Sequence, residues 1–199
     1  DYEGWEEANR LAPGFDLDTF IENKLGKSNV KQPVPQKPAD NKELGLPTGK
    51  GDVKYAYTKD TTRDGYIQPQ LMAILENASA ATGFKIRITS GGQLPGQGTG
   101  SVRHNYGWAA DLRVFNANGE RVNFAVDKLP QDTLKFVKYL ASQGITGMGA
   151  GSGYMAGNLH VDISWGRNPG TEPFRYWGRK GGPWAKWLPS VMGTNRLNT

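Results

Sequence analysis

Residues 101–112 read SVRHNYGWAADL, and the chain is organised around this stretch and a distant partner, NLHVD at residues 158–162. The chain has two histidines, His104 and His160, and one lies in each of these segments. Asp111 follows His104 within the first segment. Two histidines and one carboxylate are the ligand set of a catalytic zinc ion, which keeps its fourth position for a water and lowers the pKa of that water to about 7. The pattern therefore predicts a Zn²⁺ site at His104, Asp111 and His160.

Alternation along two predicted strands supports this site. The segment 108–115 places Asp111 on one face, and the segment 159–163 places His160 on one face between apolar neighbours. A carboxylate within such an apolar strand is partly buried and needs a cation or hydrogen-bond donors. We therefore expect the two strands to direct Asp111 and His160 to one point, while the preceding loop brings His104 to it.

The remaining pattern of the main domain predicts an α+β fold. Alternating apolar residues predict further strands, and a proline start with a glycine stop predicts two helices: strands at 53–57 and 84–89, helices from Pro69 to Gly83 and from Pro130 to Gly144. The order of these elements predicts a small, mostly antiparallel sheet with helices packed on it. In the glycine-rich segment 145–157 we expect an edge where a substrate backbone approaches closely.

The first 51 residues have a different composition from the rest. Residues 1–25 predict two short helices, each too short to stand alone in water. Residues 26–51 are rich in proline and lysine, which is typical of a linker. The sequence thus predicts a helical attachment segment and linker over 1–51, followed by the main domain over 52–199.

Composition excludes several classes of site. The chain has 199 residues and no cysteine, which excludes disulfides, thiolate zinc sites and cysteine nucleophiles. No apolar run approaches the roughly 18 residues of a membrane span. The net charge of +5 favours anionic partners such as cell-wall polymers, or serves only solubility. We expect no specific nucleic-acid binding.

The motif positions resemble those of one enzyme family. The run TSGG from Thr89, the pattern RHxxGxAxDL over 103–112 and LHVDI over 159–163 together resemble the D-alanyl-D-alanine carboxypeptidase-like zinc peptidases. That family includes cell-wall carboxypeptidases, phage endolysins and hydrolase modules of phage particles. The resemblance covers roughly residues 65–166. It implies a zinc-peptidase-like fold, with zinc bound by His104, Asp111 and His160.

The resemblance also implies a substrate and a location. It implies cleavage of stem or cross-bridge peptides of peptidoglycan by a component of a phage virion, or by an extracellular or periplasmic enzyme. Residues 1–51 would then contact other virion proteins.

Two positions depart from the family pattern. Gly157 occupies the usual place of the general base, and Gln93 occupies that of an arginine that holds a substrate carboxylate. Asp162 is the candidate replacement base, because it follows His160 on the same strand face. Its alternative role is to accept the ring N–H of a ligand and fix its orientation.

Other candidate residues are weaker. Arg103 is a candidate for a substrate carboxylate, or is a solvated loop charge. Tyr154 is a candidate donor to the oxyanion of a peptide intermediate, or packs over the glycine-rich loop. The segment 174–187 mixes aromatic and basic residues, which suits sugars, single-stranded nucleic acid or anionic polymers, or its tryptophans fill the core. The alternatives to an enzyme are therefore a non-catalytic virion (tail) component and a wall-binding module.

Overall fold

Strand alternation builds one sheet that carries the candidate site. The computed structural model describes residues 51–57, 59, 61–94, 102–163, 175–179 and 182–193. Six strands are described: β1 (Val53–Tyr55), β2 (Lys85–Ser90), β3 (Ala109–Phe115), β4 (Gly147–Gly149), β5 (Leu159–Asp162) and β6 (Arg175–Trp177). They lie in the order β1-β2-β3-β5-β4-β6. The central pairings β2–β3, β3–β5 and β5–β4 are antiparallel, whereas the outer pairings β1–β2 and β4–β6 are parallel.

Three helices accompany this sheet in the described part of the chain: α1 (Pro69–Thr82), α2 (Gln131–Ser142) and α3 (Leu188–Met192). Proline lies at the start of α1, where its missing N–H costs no hydrogen bond, and Gly83 ends the helix in the left-handed conformation at φ 75°. Pro130 likewise precedes α2. The α+β class is confirmed, and the sheet is mixed, with an antiparallel centre and parallel outer pairs.

The hydrophobic core lies on one face of the sheet. Alternate residues of β2 and β3 are fully buried there: Ile86, Ile88, Leu112 and Val114. They belong to the same apolar cluster as the inner faces of the three helices. The opposite face carries Asp111 and Arg113 of β3, because neighbouring residues of a strand point to opposite sides. Core and candidate site therefore occupy opposite faces of one sheet.

The predicted N-terminal segment lies outside the described residues. The helices expected within residues 1–25 and the linker expected over 26–51 belong to that part, except Gly51. The boundary near Gly51 therefore stays a prediction. Among the described helices, none has the length and apolar character needed to cross a membrane.

The C-terminal tryptophans do not share one role. Trp187 is buried and its ring lies 6.2 Å from that of Phe124, as the core-filling alternative expects. Trp184 is 49% exposed. Trp177 lies on the site face of β6, and Trp165 lies outside the described residues. The core-filling interpretation therefore holds for Trp187 and is wrong for Trp184.

Candidate metal centre

Strand register brings the three predicted ligands together. Asp111 of β3 lies directly opposite His160 of β5, and His104 ends the short 3₁₀ turn Val102–His104 that precedes β3. Asp111 Oδ1 lies 2.8 Å from Nδ1 of His160 and 3.4 Å from Nε2 of His104. The potential ligand atoms of all three buried residues lie within 4.8 Å of one another. This group can hold a metal ion.

In each imidazole ring, the nitrogen that points away from Asp111 faces an oxygen atom of another residue. Nδ1 of His104 lies 2.7 Å from the carbonyl oxygen of Gly91, which accepts a hydrogen bond from it. Nε2 of the same ring is then a free lone pair, and it has no hydrogen-bond partner among the described residues. Nε2 of His160 lies 3.5 Å from Oδ2 of Asp162, which is an ionic contact longer than a hydrogen bond. Partners of this kind fix the tautomer and orientation of metal-binding histidines, so the donor set fits a metal ion.

Asp162 lies behind His160 and away from Asp111. It contacts the ring nitrogen opposite to the one that faces Asp111, and it is 0% exposed. A general base must reach a water at the metal, on the Nδ1 side of this ring. The position of Asp162 fits the alternative role, in which it orients the ring.

Two arginines compensate the buried charge of Asp162. Arg103 Nη1 lies 3.3 Å from Oδ2, and Arg175 Nη2 lies 3.9 Å from Oδ1. The guanidinium of Arg103 also stacks over the ring of Trp177, 4.1 Å from its centroid. A buried carboxylate requires such partners. Arg103 is 8% exposed, so in this structure it contacts Asp162 and is not a solvated loop charge.

Two glycines of β4 make room for this network. Gly147 lies opposite Asp162, and Gly149 lies opposite His160. A Cβ at Gly147 would overlap the Asp162 carboxylate, and one at Gly149 would come within 2.6 Å of Trp177 Nε1. Because β4 lies between β5 and β6, it is not an edge strand. The prediction that these glycines form an edge where a substrate backbone approaches is therefore wrong at Gly147 and Gly149. The glycines accommodate side chains of the protein itself.

Tyr154 connects to the centre through Trp177. Its hydroxyl oxygen accepts a hydrogen bond of 2.9 Å from Trp177 Nε1, and the Trp177 ring meets His160 edge-on at 5.0 Å. The side chain is partly buried. The packing alternative is thereby met, and the oxyanion role stays a prediction.

Gln93 holds the turn that carries His104. Its Nε2 donates to Asn105 Oδ1 at 2.8 Å, and its backbone N–H donates to the carbonyl of His104 at 3.0 Å. The side chain is largely buried. Its contacts therefore position a candidate metal ligand, and substrate contact by Gln93 stays a prediction.

The structure gives a physical reason for glycine at position 157. Gly157 has φ +80°, and a Cβ there would overlap Oδ1 of Asn123. The carboxylates that contact the two histidines, among the described residues, are Asp111 and Asp162. A longer side chain at the usual position of the general base would therefore have a strained backbone and would displace the Asn123 side chain.

Arg63 is a site residue that sequence reasoning missed. Its Nη1 lies 3.6 Å from Asp111 Oδ2, and a quarter of its side chain is exposed. It comes from the irregular segment between β1 and α1, where the sequence has no periodicity that would indicate which way a side chain points. Its carbonyl accepts from the N–H of Gly91, the residue that holds His104. Arg63 therefore brings a positive charge to the more open side of the centre.

The surroundings shift the pKa values of the two histidines in opposite directions. Burial lowers the pKa of His104 and outweighs the opposing effect of Asp111. Burial also lowers the pKa of His160, but its contacts with Asp111 and Asp162 outweigh burial and raise it above the ordinary value. Burial raises the pKa of both carboxyls, yet contacts with the two histidines for Asp111, and with His160 and Arg103 for Asp162, hold both below the usual range. Both carboxylates are therefore charged at neutral pH.

No family model matches this chain, and no curated protein matches it.

Proposed function

We propose that this protein is a zinc-dependent peptidase that cleaves stem or cross-bridge peptides of bacterial peptidoglycan. The observation that carries the proposal is the convergence of three buried donors, one each from His104, Asp111 and His160. Nδ1 of His104 is hydrogen-bonded to the Gly91 carbonyl, and Nε2 of His160 faces Asp162 Oδ2 at 3.5 Å. The resemblance of segments 103–112 and 159–163 to cell-wall zinc peptidases supplies the substrate class.

The donor chemistry favours zinc. Two imidazoles and one carboxylate without a thiolate suit zinc, and three protein ligands are typical of catalytic rather than structural zinc sites. When bound, zinc supplies Lewis acidity, which lowers the pKa of a coordinated water and polarises a carbonyl.

The residues of the chain position and shield this centre. Asp162 and the Gly91 carbonyl keep the lone pairs of His160 and His104 directed at one point. Trp177 covers one side of His160 and reduces its contact with water. Arg63 places a positive charge beside Asp111, where it attracts an anionic group of the substrate. Asp111 and Asp162 are both occupied by these contacts, so the proton acceptor of the reaction is not assigned to either.

The location follows from the same resemblance. We propose that the protein acts on the wall from a phage virion, or from the extracellular or periplasmic space. Residues 1–51 would attach it to other virion proteins.

A second candidate function is a non-catalytic virion component that keeps the metal centre. Gly157 favours it, because Asn123 fills the place where a general base would extend. The half-exposed Trp184, whose ring meets that of Tyr176 edge-on at 5.6 Å, favours a wall-binding role for such a protein.

Digestion of purified peptidoglycan tests the proposal. The full chain is loaded with zinc, and released fragments are identified by mass spectrometry. We expect fragments from the natural chain and from Lys138→Gln, which changes an exposed charge on α2, and none from His104→Ala. If the zinc-loaded natural chain releases no fragments, the enzymatic proposal fails and the structural role replaces it.

A further inference from the structure

A row of cations crosses the site face of the sheet. Lys54 of β1 pairs in register with Arg87 of β2, and Arg87 pairs with Arg113 of β3. Residues in register lie on the same face, so the three side chains are neighbours. Lys85 lies on that face as well, two residues before Arg87.

This arrangement carries an electrostatic cost. Like charges directly opposite one another destabilise a sheet. Asp52 offsets part of that cost, since its carboxylate lies 2.8 Å from Nη1 of Arg87 and 4.0 Å from Nζ of Lys54. Nε of Arg113 is buried and has no hydrogen-bond partner among the described residues. The row therefore has more cations than carboxylates.

The row lies beside the metal centre. Arg113 is two residues from Asp111 on the same face of β3, which corresponds to about 7 Å along a strand. A bound peptide in extended conformation advances by the same distance over two of its own residues. An acidic residue two positions from the bond at the metal centre would therefore reach the level of Arg113.

We propose that Lys54, Arg87 and Arg113 form a subsite for a carboxylate of an acidic peptide substrate, about two residues from the cleaved bond. This inference rests on the proposed peptidase function and adds the charge of the substrate to it. The occupant follows from charge complementarity and from the continuity of the row with the metal centre. A charge-assisted contact to a guanidinium is among the stronger hydrogen bonds in proteins.

The test compares two substrates and matched variants. One substrate is purified peptidoglycan, and the other is the same material with its carboxylates converted to amides. The variants are Arg113→Gln, the milder Lys54→Gln at a side chain that is 70% exposed, and the control Lys138→Gln on α2. Thermal unfolding checks that each variant is folded. Initial rates of fragment release give KM and kcat for each pair of variant and substrate.

We expect Arg113→Gln to raise KM roughly tenfold on native peptidoglycan with kcat unchanged, because uniform binding is lost. Lys54→Gln raises KM about twofold, since an exposed charge contributes less. On the amidated wall both variants match the natural chain, because the partner carboxylate is gone. The proposal is overturned if Arg113→Gln and Lys138→Gln behave alike on native peptidoglycan.

A binding arm separates failure of this inference from failure of the peptidase proposal. If the zinc-loaded natural chain releases no fragments, co-sedimentation with native and with amidated peptidoglycan still measures how strongly the row of cations binds carboxylates. Tighter binding to native than to amidated wall, lost in Arg113→Gln, supports the subsite. Equal binding to both walls overturns the proposal. It is also overturned if Arg113→Gln loses as much affinity for a single-stranded oligonucleotide as for native wall, because the row would then be a general polyanion surface.

Discussion

At the scale of single residues, the orientation of His160 depends on Asp162. We predict that Asp162→Asn lowers zinc affinity roughly 10- to 100-fold, the usual effect of removing a carboxylate behind a metal-binding histidine. The substitution also leaves Arg103 and Arg175 without their carboxylate. Competition with a chromophoric chelator measures the affinity, with Lys138→Gln as the control. Unchanged affinity in Asp162→Asn would show that the ring is held by Asp111 alone.

Gly157 gives a second prediction at this scale. Gly157→Glu places a carboxylate at the family's usual base position, but φ +80° and the contact with Asn123 oppose any side chain there. We predict a loss of about 1–3 kcal/mol in the free energy of unfolding, and no gain in wall digestion. Denaturant unfolding and fragment release measure the two effects. A stable Gly157→Glu protein with higher activity would mean that Asn123 moves aside at no cost.

At the scale of elements, the glycines of β4 make room for the buried charges. We predict that Gly147→Ala destabilises the protein by about 1–3 kcal/mol and weakens zinc binding, because its Cβ displaces the Asp162 carboxylate behind His160. Gly182→Ala is the matched control, since its Cβ would meet its nearest neighbour at an ordinary 3.4 Å. Equal unfolding midpoints for the two variants would contradict this account.

Two tyrosines tie the segment between β1 and α1 to the rest of the domain. The hydroxyl of Tyr57 donates to the Gly65 carbonyl at 2.8 Å, and that of Tyr55 accepts from the N–H of Ile67 at 3.1 Å. This segment carries Arg63, whose carbonyl accepts from Gly91. Tyr57→Phe should cost about 1 kcal/mol of stability, the usual net value of one hydrogen bond.

The same tyrosines predict a loss of stability in alkali. Burial raises the pKa of Tyr55 to about 12, and it raises that of Tyr57 above its ordinary value of 10 as well. A group with a raised folded-state pKa contributes stability that is complete below pH 10 and is lost as the pH rises towards 12. The unfolding temperature should fall over this interval, and less steeply in Tyr55→Phe. Parallel curves for Tyr55→Phe and the natural chain would exclude Tyr55 as the cause.

Sequence periodicity predicts some of these elements and not others. It predicts β1, β2, β3, β5, α1 and α2, because their apolar residues alternate or recur at helical spacing over several positions. It misses β4 and β6. Gly147-Met-Gly149 lacks the branched and aromatic residues of a strand, and β6 is not part of a longer alternating run, whereas the equally short β1 lies within the alternating run 53–57.

The candidate site likewise has parts that the sequence predicts and parts that it does not. The candidate metal ligands are predictable because the chain has two histidines, His160 and Asp111 lie in apolar strands, and His104 precedes Asp111 in one short motif. The contacts of Asp162 with Arg103 and Arg175 are not, because Arg103 comes from the turn before β3 and Arg175 lies on β6, two strands away from β5. Arg63 approaches Asp111 from an irregular segment, whose path no local pattern gives.

At the scale of the whole molecule, one sheet separates two kinds of stabilisation. Its apolar face and the helices form a core that includes no metal ligand. Its other face concentrates Asp111, Asp162 and both histidines, all buried. Two buried carboxylates and two imidazoles depend on their mutual contacts and on any bound cation, whereas the core depends on apolar burial. Loss of a cation should therefore affect one face and leave the other intact.

Zinc removal tests this separation. An ion present at 1000 times its Kd stabilises the folded state by about 4 kcal/mol, which for a chain of this size corresponds to roughly 8–16 °C in Tm. We predict that a chelator lowers Tm by this amount while the far-UV circular dichroism at 25 °C stays the same, because the core does not include the metal ligands. Zinc added back restores Tm, and His104→Ala shows neither change. Unfolding of the chelated protein at 25 °C would instead make the ion a structural one, since the core would then depend on it, and would favour the non-catalytic virion component over the peptidase.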